Sequence, residues 1–151
     1  MLEIQVKDKI VVNWAVPNFV NVCVDEHKNG ELAGRFYHRY DKKPVRFEHF
    51  MDMVKKLEQV YDAIDYPQAT SHKRSFIKEE KRPAEKKIIP PVLWESREFA
   101  EERGVKATFY ILVKGRGNAT WQGEVVWVER GISKKFRSVM ELMILMDNAL
   151  K

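Results

Sequence analysis

The chain of 151 residues has a single cysteine, Cys23. One thiol cannot form an internal disulfide, and it cannot supply the several cysteines of a typical structural zinc site. Cys23 stands between Val22 and Val24. We therefore expect it to pack inside a strand as a small apolar residue.

Long apolar runs are missing as well. No stretch approaches the roughly 20 consecutive apolar residues that a membrane-spanning helix needs. Residues 1–7 carry neither the basic region nor the apolar core of a signal peptide. The expectation is a cytoplasmic protein without a membrane partner.

Groups arranged for catalysis are equally scarce. None of the four histidines (His27, His38, His49 and His72) is followed by another at metal-ligand spacing. Residues 115–117 (Gly-Arg-Gly) precede a predicted strand, which indicates a hairpin turn and not a phosphate loop. We expect no metal, no cofactor and no enzyme, and His38 is expected to pack in the core. An active site assembled by folding is the alternative that spacing cannot reveal.

Positive charge is present but localised. The net charge is +5. Residues 71–90 hold seven cations and three anions, which accounts for +4 of this total. A uniformly basic surface for nucleic acid is therefore not expected, and the basic arm is the part suited to a polyanion. Its candidate ligand-binding residues are Lys73, Arg74, Lys81 and Arg82.

An internal repeat is the strongest pattern in the sequence. Residues 32–61 align without a gap on residues 121–150, so that Gly34 falls on Gly123 and Phe47 on Phe136. Upstream, residues 19–24 align on residues 109–114 once one residue is dropped. The repeat predicts a β-β-α unit used twice.

The elements follow from periodicity and turn residues. Strands are predicted at residues 10–16, 19–25, 31–40, 107–114 and 120–129. Helices are predicted from Phe47 to about Asp65, from Ser138 to Leu150, and, as a short one, at residues 93–103. The expected fold class is α+β, an antiparallel sheet with both helices on one face and residues 10–16 lengthening an edge. Residues 1–65 and 105–151 would form one compact domain, joined by a charged linker at 66–104.

Positions where the two repeats differ are the best candidates for function. Arg35, Tyr37 and Arg39 share one strand face, where the second repeat has Glu124, Val126 and Val128. Two guanidinium groups and a phenol can bind phosphate, a flat base or an acidic protein surface. A solvated strand face is the alternative interpretation. We expect a non-enzymatic binding or adaptor protein that uses this face and the basic arm.

Apolar residues outside the sheet suggest a second function. Leu142, Met143 and Met146 belong to a helix that is apolar nearly all round, which predicts a homodimer or a contact with a partner helix. Trp121 and Trp127 have the parity of the helix-facing core, where Gly123 would make room for an indole. An exposed aromatic platform is the alternative for these two tryptophans.

Three resemblances add expectations. Residues 118–123 (Asn-Ala-Thr-Trp-Gln-Gly) resemble the second signature of the PilZ family, and residues 35–39 (Arg-Phe-Tyr-His-Arg) are similar to its paired-arginine motif. This resemblance implies a β-barrel receptor for cyclic di-guanylate, contacting it through Arg35, Arg39, Asn118, Thr120 and Gly123. Residues 118–123 together with 136–138 (Phe-Arg-Ser) and the final helix also resemble a group of small bacterial proteins, which implies no activity. The pattern of two strands, a phenylalanine and a helix is more loosely similar to antitoxin-type folds that bind a partner protein.

Overall fold

The computed structural model describes residues 2–68, 89–94, 96–117 and 120–151. Within these ranges the chain forms eight strands in two antiparallel sheets and three helices. In chain order they are β1 (Glu3–Val6), β2 (Ile10–Asn13), β3 (Phe19–Lys28), β4 (Glu31–Tyr37), β5 (Val45–Phe47), α1 (Phe50–Ile64), α2 (Glu98–Glu101), β6 (Ala107–Gly115), β7 (Gln122–Trp127), β8 (Ile132–Phe136) and α3 (Val139–Leu150). The predicted α+β class with an antiparallel sheet is confirmed.

The main sheet has six strands in the order β5-β4-β3-β6-β7-β8. Strands β3 to β5 with α1 make the first half, and strands β6 to β8 with α3 make the second half. Each half is therefore β-β-β-α, and the predicted β-β-α unit lacked its third strand. Both missed strands are short and partly charged (Val-Arg-Phe and Ile-Ser-Lys-Lys-Phe), so they show no clear apolar alternation.

Positions 89 residues apart occupy equivalent places in the two halves. Gly34 pairs with Phe47, and Gly123 pairs with Phe136. The central strands contain register shifts between Val24 and Glu26 and between Val113 and Gly115, which share this spacing. The gap placed in the upstream alignment was therefore wrong, since Val24 corresponds to Val113 without one.

Both glycines of the repeat are required by a close backbone approach. A Cβ atom at Gly34 would lie 2.0 Å from the carbonyl oxygen of Cys23, and one at Gly123 would lie 2.1 Å from that of Leu112. Such distances leave no room for any side chain. Gly123 thus serves the neighbouring strand and not an indole, which corrects the predicted reason for its presence.

The helix boundaries follow from capping groups. His49 Nδ1 accepts from the amide of Asp52, and Ser138 Oγ accepts from the amide of Glu141, so these two side chains cap α1 and α3. The first helix therefore begins at Phe50, three residues later than predicted, because Phe47 ends a strand. Asp65 adopts a left-handed conformation and ends the helix where it was predicted to end.

One face of the main sheet is covered by both helices, as predicted. Val22, Phe36 and Phe109 from the strands pack in one cluster with Leu57 of α1 and Leu142 of α3. Trp121 is buried in this cluster and Trp127 packs against it while partly exposed. The prediction that both tryptophans belong to the helix-facing core is confirmed.

The opposite face is covered too, by the β1–β2 hairpin and the segment around α2. Trp14 and Phe99 pack edge to face at 6.1 Å, and Phe99 packs in the same way on Phe19 at 5.6 Å. Cys23 is fully buried here as expected, and burial raises the pKa of its thiol to about 12. The prediction that residues 10–16 lengthen the sheet edge was wrong, because β2 pairs with β1 and the hairpin lies over apolar groups that the sheet would otherwise expose.

Helices α1 and α3 are each bonded to the other half through a side-chain contact. Arg116, which follows β6, donates to Asp62 of α1 at 2.7 Å and to Glu58 at 3.3 Å. In the reverse direction, His27 of β3 lies 3.0 Å from Asp147 of α3. Glu58 and Asp147 are again 89 residues apart, so the two contacts are equivalent in position although they differ in chemistry.

Candidate functional site: two clefts beside the helices

The predicted ligand-binding residues Arg35, Tyr37 and Arg39 lie under the β1–β2 hairpin and the segment around α2, which cover this face of the sheet. Arg35 Nη1 donates to both carboxylate oxygens of Asp25, at 2.7 and 2.8 Å, and Arg35 Nε donates to the hydroxyl of Tyr37 at 3.0 Å. Arg35 Nη2 donates to the carbonyl of Arg103, and 19 % of the Arg35 side chain remains exposed. The guanidinium is thus used to hold the chain's own backbone and side chains.

Arg39 is placed in the same way. Its Nη1 donates to the carbonyl of Ala15, and its guanidinium carbon lies 5.6 Å from the centre of the Trp14 ring. Its own carbonyl accepts from the amides of Leu93 and Trp94. The row of Arg35, Tyr37 and Arg39 therefore forms a contact between the sheet and its cover, and does not line an open concave surface.

The remaining sequence-predicted residues fall into two groups. Lys73, Arg74, Lys81 and Arg82 lie outside the described residues. Among the predicted interface residues, Leu142 and Met146 are buried against the sheet, while Met143 is 37 % exposed. Leu142 and Met146 are therefore not free for an interface, which corrects the prediction. They lie four positions apart, on the stripe of α3 that faces the chain's own core.

Among the residues of the PilZ resemblance, Asn118 lies outside the described residues, and Arg35 and Gly123 are not brought together. Arg35 shares strand parity with Tyr37, which packs under the hairpin, whereas Gly123 shares parity with Val125, which packs under the helices. Two strands, β3 and β6, separate their positions in an open sheet. Thr120 Oγ1 accepts from the amide of Val139, at 3.3 Å, so it serves the start of α3.

A cleft opens beside each helix on the helix-covered side. The first cleft has a volume of about 370 Å³. It is lined by His38, Tyr40, Asp41, Val45, Lys56, Gln59, Val60, Ala63, Ile64 and Pro90. The end of β4, the flank of α1 and residue 90 of the segment before α2 bring these groups together, so the lining mixes polar and apolar side chains.

The second cleft has a volume of about 220 Å³. It is lined by Phe109, Val125, Trp127, Ile132, Lys134, Leu145, Asn148 and Ala149. Most of this lining is apolar, and the Trp127 ring packs at 6.5 Å on Phe109 in a tilted arrangement. The result is a small apolar groove with polar groups only from Lys134 and Asn148.

The two clefts are equivalent in position. Five of their lining pairs are separated by 89 residues: His38 and Trp127, Val45 and Lys134, Lys56 and Leu145, Gln59 and Asn148, Val60 and Ala149. The same architecture therefore carries a mixed polar and apolar lining in one half and a mainly apolar lining in the other.

Two cations, Arg130 and Lys134, lie at the second cleft, and two more, Lys7 and Lys9, lie on the turn beyond it. The guanidinium of Arg130 lies 5.5 Å from the centre of the Trp127 ring, and Lys134 is part of the lining. Lys7 and Lys9 lie against the β7–β8 turn, since a Cβ at Gly131 would meet Lys7 Cβ at 2.8 Å and Lys9 Cδ at 3.6 Å. All four cations are exposed.

None of these four cations has an ion-pair partner within the part of the chain that the structure describes. One acid, Asp8, stands between the two lysines in the sequence. The nearby carboxylate of Glu129 accepts from the amide of Thr108, so it is turned toward its own sheet. The border of the second cleft therefore has an excess of positive charge.

Sequence reasoning missed both clefts. Trp127 was assigned to the core, which is correct for one side of its ring but leaves out the side that lines the groove. Arg130 and Lys134 were not singled out, because β8 was not recognised. The repeat itself held a signal, since His38 and Trp127 are aligned positions of opposite chemistry.

Comparisons of the chain with protein-family models, with curated proteins and with solved structures found no match. Among the described residues, no three or more His, Cys, Asp or Glu side chains stand close enough together to hold a metal ion. No helix in the described ranges has both the length and the apolar character needed to cross a bilayer.

Proposed function

We propose that the chain is a non-enzymatic binding or adaptor protein that binds an acidic protein segment through the second cleft. The observation that carries this proposal is an apolar groove containing Trp127, with Lys134 in its lining and the guanidinium of Arg130 over the Trp127 ring, and neither cation is ion-paired to a described residue. The proposed partner is still acidic, as expected from the sequence, but the site lies at the end of β7 and not at Arg35, Tyr37 and Arg39.

The size of the groove favours a partner side chain over a free small molecule. Small-molecule sites usually have volumes of about 300–1,000 Å³, and the second cleft, at about 220 Å³, falls below this range. A single apolar or aromatic anchor from a partner fits such a groove. Tryptophan is among the residues that most often dominate binding energy at interfaces.

The charge around the groove selects the kind of partner. The exposed cations Arg130 and Lys134 attract an acidic segment and speed its approach, an effect that reaches about 8 Å at physiological ionic strength. The apolar floor then requires an anchor without charge. Nucleic acid is less well matched, because it would need a longer continuous track of cations than this border offers.

The test is a selection of twelve-residue peptides displayed on phage against the immobilised chain, followed by calorimetry on the synthesised peptides. Selected peptides should combine Asp or Glu with one large apolar residue. The double variant Arg130→Glu, Lys134→Glu should weaken them about tenfold or more. Lys55→Glu is the matched control, because Lys55 is an exposed cation on α1, in the other half.

Two outcomes would count against the proposal. Peptides that bind the double variant and the Lys55 control equally would place the site elsewhere. Salt-sensitive binding of single-stranded DNA or RNA in fluorescence anisotropy, with no acidic peptide selected, would favour the nucleic-acid function instead.

A second candidate function rests on the outer side of α3. Met140, Met143 and Ile144 are exposed at positions three and four residues apart, and form one apolar patch. We propose this patch as the contact for a homodimer, in place of the buried Leu142 and Met146. Light scattering should show a dimer that Met143→Glu converts to a monomer, and a chain that is monomeric at all concentrations would rule the dimer out.

We also propose that the two halves arose by duplication. Support comes from the shared spacing of the glycines, the register shifts, the capping residues His49 and Ser138, and the clefts. Related sequences should keep glycine at both positions 34 and 123, and its frequent replacement in one half alone would speak against a common origin.

A further inference from the structure

His38 is a buried histidine with one nitrogen left to use. It is only 6 % exposed, and its ring lies between those of Phe36 and Tyr40, each at 6.1 Å. Its Nδ1 accepts from the amide of Tyr40 at 3.2 Å. The neutral ring therefore carries its proton on Nε2, which makes Nε2 a hydrogen-bond donor.

Burial keeps this ring neutral. Removal from water lowers the pKa of His38, and the nearby carboxylate of Asp41 opposes this effect only in part. A neutral imidazole at pH 7 offers a donor without a charge. The position of His38 in the fold decides what this donor can bind.

The Nε2 atom opens onto the first cleft. Among the described residues it has no hydrogen-bond partner. Among the described residues, the side-chain nitrogen and oxygen atoms that are fully buried and lack a hydrogen-bond partner are Trp14 Nε1, Arg39 Nε and Tyr61 Oη. His38 Nε2 is not one of them, so this unpartnered atom is partly accessible. Since the ring lines the cleft and is otherwise buried, the accessible side of Nε2 must be the cleft.

Lys56 supplies a fixed charge on the same cleft. Its Nζ donates to the carbonyl of Arg46 at 2.7 Å and to Asp52 Oδ2 at 3.1 Å. An ammonium has three donors, so one proton remains for a ligand. Because Lys56 is already held in place, little side-chain entropy is lost when a ligand uses it.

The rest of the lining defines the body of the ligand. One wall is apolar and consists of Val45, Val60, Ala63, Ile64 and Pro90. Gln59 adds an amide. The volume of about 370 Å³ lies within the usual range of small-molecule sites of roughly 300–1,000 Å³.

We propose that the first cleft is a binding site for a small monocarboxylate with a compact apolar body. The carboxylate would accept from His38 Nε2 and Lys56 Nζ, and the apolar body would pack on Val60 and Ile64. A single negative charge is preferred over a phosphate, because Lys56 is the one cation among the described lining residues and Asp41 also lines the cleft. One Asp41 oxygen accepts from the amide of Lys43, which turns part of that carboxylate toward its own turn.

The second half provides an internal comparison. Its equivalents of His38 and Lys56 are Trp127 and Leu145, so the two donors are replaced by apolar groups. The same carboxylate should therefore bind one cleft and not the other. This inference does not depend on the function proposed for the second cleft.

The test is an NMR titration of the full chain with phenylacetate and hexanoate, using phenylacetamide and hexanamide as neutral controls. At millimolar concentration the acids should shift the His38 ring nitrogens and the Ala63 amide in a saturable way. The amides should bind at least about tenfold more weakly, a difference of about 1.4 kcal/mol. The Trp127 indole signal should not move.

Two variants separate binding from folding. His38→Phe keeps an aromatic ring and removes the donor, so it should reduce the affinity for the acids about tenfold. Lys56→Met should reduce it severalfold, and Lys55→Met, which changes the neighbouring exposed lysine, should leave it unchanged. Lys56→Met and Lys55→Met keep the test valid if His38→Phe fails to fold.

Three results would overturn the inference. They are no shift at His38 with either acid, equal binding of the acids and the amides, or equal effects of Lys56→Met and Lys55→Met. Each leaves the peptide experiment on the second cleft unaffected, because that experiment uses other residues and another probe.

Discussion

The two clefts occupy equivalent places in the two halves and have opposite chemistry. The first presents the donors His38 and Lys56, and the second presents Trp127 and Leu145 beside the cations Arg130 and Lys134. The strands, register shifts and capping positions around them agree. Positions that maintain the architecture are thus shared, and positions that face open space differ, as expected where ligands act on one half at a time.

The largest expected effect concerns the shared positions. Gly34→Ala and Gly123→Ala should each destabilise the fold by about 3 kcal/mol or more, because the new methyl group meets a carbonyl oxygen of the adjacent strand. Urea unfolding measures the loss. Gly115→Ala is the control, since its methyl group meets only the flexible end of Gln122 at 3.1 Å. A mild effect at one repeat glycine and a severe one at the other would break the equivalence of the halves.

The contacts between halves should be unequal. Arg116 is buried and binds Glu58 and Asp62, so Arg116→Met should cost about 2–3 kcal/mol by removing these two ion pairs. The equivalent contact of His27 with Asp147 is more exposed, and His27→Phe should cost about 1 kcal/mol or less. Urea unfolding of both variants checks this order, and equal losses would contradict it.

Binding at the second cleft should depend on its central indole. Trp127→Ala should weaken the selected acidic peptides by about 2 kcal/mol, roughly thirtyfold in Kd, because an interface loses its main apolar contact. Isothermal calorimetry measures the change. The corresponding replacement in the first half, His38→Ala, should leave peptide affinity unchanged, and a similar loss there would show that the two clefts do not act separately.

The smallest expected effect is the acid sensitivity of the first half. The folded chain holds the pKa of His38 below its ordinary value of 6.5, so the unfolded chain binds more protons as the pH falls below 6.5. Stability should therefore decrease from about pH 6.5 downward until the folded pKa is reached, by at most about 1.4 kcal/mol per pH unit. Unfolding of the wild type and His38→Phe between pH 5 and 7 measures this. An identical pH dependence in the two chains would contradict it.

Much of the fold could be read from the sequence because it rests on local signals. The apolar stripe of α1, the capping serine of α3 and the Asn29-Gly30 turn act on residues close in the chain. The alignment of the sequence with itself placed Gly34 on Gly123, and each of these glycines pairs with a phenylalanine of the neighbouring strand. Strands β5 and β8 were missed because three to five residues with charged members carry too little periodicity.

The candidate site was much less predictable. Arg35, Tyr37 and Arg39 have the parity of an exposed face, and nothing in their own strand shows that Trp14 and Phe99 come from distant segments to cover it. Met146 and Leu142 appeared to belong to an all-round apolar helix, and only the sheet beneath decides which side is buried.

By itself, the sequence determined the α+β class, the residues at which α1 and α3 end and the helix-facing core, because periodicity and capping act over short distances. Only the tertiary structure decided that the hairpin lies over one sheet face, that Arg116 and His27 each reach the helix of the other half, and that His38 and Trp127 line equivalent clefts. Those features depend on which segments meet in space, and the free energy of burying apolar surface, which decides this, belongs to the assembled fold and not to any one stretch of chain.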